Sequence, residues 1–182
     1  PEDYWSCCAR RYLCAAGECA SRRREKRLHG GRVCGKNIFG SRNIMKISLM
    51  DRSLYYKGLL LLVRKDREIH EQEKRMMLGI GKMLGFDARF CARSIEKILV
   101  NPYIVDEPPV FSQKDIALCF IRDGLLLAVS DGQISGAETA WLQSVAEKNG
   151  LAGAWAAELA KIPPGAKDLP LDALELKKFV WE

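Results

Sequence analysis

The sequence predicts an all-α fold, a compact bundle of about six to seven helices with an internal pseudo-twofold repeat. Three observations point there. Apolar residues recur at spacings of three and four from about residue 49 onward, the period of an amphipathic helix. Alternating β-branched runs, the mark of strands, are scarce. A stretch of the chain also repeats at a fixed offset, and internal repeats constrain architecture more than composition does.

The first predicted helix begins near residue 49 and carries Leu54, Tyr55, Gly58, Leu59, Leu61 and Leu62 on its apolar stripe. Asp66 to Ile69 reads as a turn. A second helix spans about His70 to Leu84, with Met76, Met77, Ile80, Met83 and Leu84 facing inward, and Gly85 stops it. Asp87 suits the N-cap of a third helix reaching about Val100, ended by Pro102. Asp106-Glu107-Pro108-Pro109 is a loop. Ser112 to Lys114 opens a fourth helix that continues through Ala128, and Ser135 to Lys148 is a fifth, stopped by Asn149-Gly150. Leu151 to Lys161 is a sixth. Pro163-Pro164-Gly165 breaks the chain, and a seventh is expected over Leu171 to Val180. Cys91 and Cys119 sit in apolar helical patterns as core thiols. Gly79 and Gly81 permit close helix packing, and Trp141, Trp155 and Trp181 are read as packing residues.

The repeat aligns residues 54–86 with 119–151, with 7 of 33 positions identical. The matches are a leucine triplet (Leu60 to Leu62, Leu125 to Leu127), an Asp-x-x-Ile-x-x-x-Glu turn and a closing Gly85 or Gly150. Each copy reads as helix, acidic turn, helix. Asp66 and Asp131 hold equivalent places in the turns, and Glu73 and Glu138 lie one turn into the following helices. If the turns face one another, two to four carboxylates converge and offer oxygen ligands suited to Ca²⁺, Mg²⁺ or Mn²⁺. Glu68 is a further candidate from the first copy; its counterpart Gln133 offers a neutral carbonyl. Asp131 to Glu138 matches the second half of an EF-hand loop. The first half fails, because Leu127 and Val129 stand where acids belong.

The same residues have a structural reading. Ser135-x-x-Glu138 is a capping box, in which each end of the first turn satisfies an amide of the other. His70-x-x-Glu73 places a poorer cap at the equivalent point. Such a cap contributes about 1 kcal/mol. Capping and cation binding are compatible, since a glutamate at the third helical position keeps a second carboxylate oxygen.

These motifs resemble the tellurite-resistance TerB family and the related N-terminal region of the membrane-anchored DnaJ-like protein DjlA. The carrying stretches are Leu60 to Glu73 and Leu125 to Glu138, and the resemblance covers about residues 49–151. It implies a compact helical bundle with internal pseudo-symmetry. It further implies divalent metal at Asp66, Glu68, Glu73, Asp131 and Glu138, with action through protein partners in a membrane-associated stress or metal-ion response. Arg67, where the family pattern has glycine, and Gln133 depart from it.

Charge divides the chain. Residues 1–44 hold ten Lys and Arg against four acids, which accounts for the whole net charge of +6. Five of the seven cysteines also lie there: Cys7, Cys8, Cys14, Cys19 and Cys34. The expected organisation is a basic, cysteine-rich extension over 1–48, poorly structured or with a short helix near Tyr4 to Ala16. A helical domain then spans 49–161, and a Pro-containing loop with a short helix spans 162–182. Met45 and Met50 are plausible natural starts. The cysteines contain no Cys-x-x-Cys pair, which argues against zinc there even with His29 nearby. Arg22 to Arg27 reads as a solvated basic tail; contact with nucleic acid or anionic lipid is the lesser reading.

No apolar run approaches the roughly 20 residues that span a bilayer, and no secretory leader is visible, so the expected compartment is the cytoplasm. No Ser/His/Asp or Cys/His signature and no phosphate-cradling glycine loop occurs. A metal-dependent hydrolase using the same acids lacks a recognisable base. The expectation is a non-enzymatic module; the alternative is a helical protein-interaction domain whose acids only cap helices.

Overall fold

In the computed structural model a division of the chain falls between Ile44 and Met45, and the structure describes residues 45–162 and 170–181. The expected short helix at Tyr4 to Ala16, the five N-terminal cysteines, His29, Arg22 to Arg27 and the Pro163-Pro164-Gly165 break lie outside the described residues.

A short strand β1 (Met45–Ile47) leads through Ser48 into helix α1 (Leu49–Val63). Ser48 accepts the Asp51 amide at 3.1 Å and so caps that helix. Then come α2 (Glu71–Met83), α3 (Ala88–Ile98), α4 (Lys114–Ala128), α5 (Gly136–Lys148) and α6 (Ala152–Leu159). The stop and start signals act as the sequence predicts. Gly85 and Gly150 take positive φ of 75° and 69° after α2 and α5. Asp87 accepts the amides of Arg89 and Phe90 and caps α3.

The repeat is visible as equivalent burial. Met76, Met77 and Ile80 of α2 are buried, and so are their counterparts Trp141, Leu142 and Val145 of α5. Leu60, Leu61 and Leu62 of α1 are buried, as are Leu125 and Leu127 of α4. The two leucine helices pack on each other. Tyr55 of α1 meets Phe120 of α4 edge-on, with ring centroids 5.1 Å apart, a favoured aromatic geometry. Gly81 lets α2 approach α3, since a Cβ there would stand 2.3 Å from the Cys91 sulfur.

The link between α3 and α4 is fastened by buried polar side chains. Asn149 accepts the Phe111 amide at 2.9 Å and donates to the Pro109 carbonyl at 2.8 Å. Asp51 accepts the Ser112 amide at 3.0 Å and its hydroxyl at 2.7 Å. Buried polar groups cost least when hydrogen-bonded, and these are.

One expectation fails. The sequence predicts a seventh helix over Leu171 to Val180, but the chain makes 3-10 turns at Leu171–Ala173 and Glu175–Lys178, then a strand β2 (Phe179–Trp181). β2 pairs in parallel with β1, Met45 opposite Phe179 and Ile47 opposite Trp181. The cause is local. The amides of Glu175 and Leu176 bond to the Asp123 side chain rather than to the preceding turn. The buried residues Leu174, Leu176 and Phe179 are spaced for an irregular segment laid on the bundle, not for one face of a helix.

Candidate functional site

Each acidic turn forms where a leucine helix ends. In the first copy α1 tightens into a 3-10 turn at Arg64–Asp66, and Arg67 then takes the left-handed conformation with φ 60°. In the second copy Gly132 takes φ 100° at the equivalent point. Both copies therefore reverse direction with the same handedness, although only one has glycine. A side chain held left-handed costs roughly 1–2 kcal/mol relative to glycine, partly offset by the greater freedom of unfolded glycine. Arg67→Gly is expected to stabilise the fold by about 1 kcal/mol, read as a rise in the thermal midpoint; a fall would show that the arginine side chain contributes more than its backbone costs.

Both capping glutamates sit as predicted. Glu138 accepts the Ser135 amide at 3.0 Å, and the Ser135 hydroxyl accepts the Glu138 amide at 3.2 Å. Glu73 accepts the His70 amide at 2.8 Å. Both glutamates are buried, at 3% and 1% exposure. Asp131 also shapes its own turn, accepting the Gln133 amide at 3.0 Å.

The two turns meet. The 3-10 turn at Arg64–Asp66 packs on α5. His70 Nε2 of the first copy lies 3.7 Å from Asp131 Oδ2 of the second. Lys65 stands over the Trp141 ring, 5.7 Å from its centroid, and bonds Asp106 at 2.6 Å. The carboxylates act on one another across this contact. Burial pushes the Glu73 carboxyl up to about 7; the His70 amide and ring oppose this, and the charges of Asp131 and Asp66 reinforce it. Burial likewise pushes Glu138 up to about 7, with its Ser135 bonds opposing and the charges of Asp66 and Glu73 reinforcing. Asp66, Glu73, Asp131 and Glu138 thus form one electrostatic group; its two glutamates are buried, and Asp66 and Asp131 are exposed, as is Glu68.

Among the described residues, no three or more His, Cys, Asp or Glu side chains stand close enough together to hold a metal ion. The group is a meeting of two caps rather than a preformed coordination sphere. Its surroundings are under-satisfied, however. Buried atoms without a hydrogen-bond partner include Ser130 Oγ and Arg64 NH1 beside the turns, Gln72 Oε1 beside Glu73, and Trp141 Nε1 one turn beyond Glu138. Native interiors leave few such atoms.

Sequence reasoning reads His70 as a cap and does not single out Asp123. His70 faces the opposite turn, which only the packing of the copies reveals. Asp123 is a fully buried carboxylate on α4; a lone acid between Ile121 and Leu125 was its only signal. The thiols of Cys91 and Cys119 are buried, and burial raises both, Cys119 to about 12. At neutral pH they are therefore thiols rather than the nucleophilic thiolates.

No protein-family model, no curated protein and no solved structure matches this chain. No helix among the described residues is long and apolar enough to cross a membrane.

Proposed function

We propose that this protein is a non-enzymatic helical module of the TerB-like kind that takes one divalent cation where its two acidic turns meet. The observation that carries this reading is the approach of His70 to Asp131 across the repeat, which gathers acids of both copies into one group. Asp66, Glu73, Asp131 and Glu138 are the side chains that would hold the ion, with Glu68 at the exposed rim. The cation would supply positive charge beside Glu73 and Glu138, whose carboxyls burial, reinforced by neighbouring acids, holds up near 7. An all-oxygen set selects Ca²⁺, Mg²⁺ or Mn²⁺ over softer metals. Since side chains would have to close in, ion binding and local rearrangement are one event. That coupling suits a module that acts through protein partners in a stress or metal-ion response.

A second reading has its own support. Glu73 and Glu138 already cap helices, and among the described residues no three ligating groups stand ready for an ion. On that reading the chain is a helical protein-interaction domain and its acids are structural.

Thermal melting separates the two. A ligand that binds only the folded state raises the melting point by mass action. Saturating Ca²⁺, Mg²⁺ or Mn²⁺ at pH 7.5 is expected to raise it, and Asp131→Ala to abolish the rise. No rise with any of the three ions, or a rise that survives Asp131→Ala, leaves the capping reading standing.

A further inference from the structure

Residues 170–181 do not pack as helix on helix. They lie in a groove on the bundle whose features are those of a peptide site. The groove wall is α4, which packs on the Glu175–Lys178 turn; α2 touches both 3-10 turns, and β1 supplies an edge strand.

Three kinds of contact hold the segment. The first is to backbone. Asp123 Oδ1 accepts the Glu175 amide at 2.6 Å, and Oδ2 accepts the Leu176 amide at 3.0 Å. These contacts ask nothing of the side chains they hold. The second is apolar. Leu174 and Leu176 are fully buried, Phe179 lies against Tyr55 with centroids 6.0 Å apart, and Leu171 rests where Gly79 has no side chain. A Cβ at Gly79 would stand 2.6 Å from Leu171 Cδ1. The third is the parallel pairing of Phe179–Trp181 with Met45–Ile47, a strand added to an edge. Backbone hydrogen bonds for affinity and spaced pockets for specificity are how peptide grooves work.

The groove side is organised by the helical body. Asp123 is held from α1 by the Tyr55 hydroxyl at 2.7 Å. The pseudo-equivalent position on α1 is Gly58, which the Phe120 ring and Pro109 cover. So one half of the repeat is closed by the α3–α4 link, and the other presents a carboxylate to a segment laid over it. A charged rim completes the site: Arg122 lies 3.8 Å from Glu175, and Lys178 pairs with the same carboxylate.

We propose that this groove is a peptide-recognition site, filled in cis by the chain's own residues 170–181, and that a separate peptide of the same character can take the seat. The partner it fits is a Leu-x-x-Leu-x-Leu-x-x-Phe segment that makes two 3-10 turns and then a short strand from its phenylalanine, with an acidic residue beside the third leucine to meet Arg122. Without an occupant, Asp123 would lose two of its three donors and keep the Tyr55 hydroxyl.

The test keeps the whole chain. A specific protease site is inserted between Gly165 and Ala166, the protein is cleaved after folding, and a labelled synthetic peptide of residues 170–182 is added. The cleaved segment is expected to stay bound through native chromatography. The labelled peptide is expected to replace it, saturably and faster than the helices unfold. A peptide carrying Leu174→Asp and Leu176→Asp should compete at least tenfold more weakly, with the protein itself unaltered. Loss of the helical fold on cleavage, exchange no faster than global unfolding, or equal competition by the doubly substituted peptide would each overturn the proposal.

Discussion

Asp123→Ala is expected to destabilise the fold by about 3–5 kcal/mol, the largest single-residue effect anticipated outside the apolar core. The carboxylate is 0% exposed and accepts from the Tyr55 hydroxyl and from the Glu175 and Leu176 amides. Alanine leaves three buried donors without an acceptor, and each such group costs roughly 1–3 kcal/mol. It also unfastens the 170–181 segment, whose leucines cover the bundle. Asp123→Asn should lose less, because one oxygen still accepts while the amide NH₂ faces a donor. Urea unfolding at pH 8, where a carboxyl held up at about 7 is ionised in the folded chain, checks this through the midpoint. A midpoint within about 0.5 kcal/mol of the parent, the range of ordinary surface changes, would show that the segment does not depend on this carboxylate.

Stability should also fall as pH rises through neutrality. Glu73, Glu138 and Asp123 all have carboxyls pushed up to about 7 in the folded chain, primarily by burial. Their ordinary values are 4.5, 4.5 and 3.8. The folded state therefore binds these protons more tightly than the unfolded state. The stability they contribute is complete below their ordinary values and is lost as pH rises through about 7. Glu158 opposes this at the acid end. The Arg122 guanidinium and Lys161 hold its carboxyl down at about 2, so its contribution disappears as pH falls from 4.5 toward 2. A stability maximum is expected between these limits, on the acid side of neutrality. Each pKa unit corresponds to about 1.4 kcal/mol, so a loss of about 2–3 kcal/mol for each of the three groups is expected between pH 5 and pH 8 without divalent cations. Chemical unfolding across that range in chelating buffer checks it. The Glu73→Gln, Glu138→Gln protein should show a flatter profile; an unchanged slope would place the dependence elsewhere.

The helices and their limits were legible because they rest on local chemistry. Ser135 with Glu138, Asp87, Gly85 and Gly150 announce starts and stops in the sequence, and the structure uses each of them. The leucine triplets show the same period twice. What was illegible depends on contacts between distant segments. The 171–180 stretch has enough leucine and lysine to suggest a helix, and only a buried carboxylate 52 residues upstream of Glu175 takes its amides away. His70 looks like an indifferent cap until the second turn is placed against it. Of the five predicted ligands, four fall into one electrostatic group, and Glu68 is not among the charges that act on its two buried glutamates. The repeat makes the two caps equivalent; that they meet is seen only in the packing of the first turn on α5 and of His70 against Asp131.

The same duplication makes a definite statement about stoichiometry. Two independent caps would bind two ions or none, whereas one junction between the turns binds one. Calorimetric titration of the chain with Ca²⁺ and with Mn²⁺ at pH 7.5 is the most direct test. One ion per chain is predicted, lost both on Glu73→Gln in the first copy and on Glu138→Gln in the second. Two ions per chain, no heat of binding for either ion, or a loss confined to the substitution in one copy would contradict a shared site.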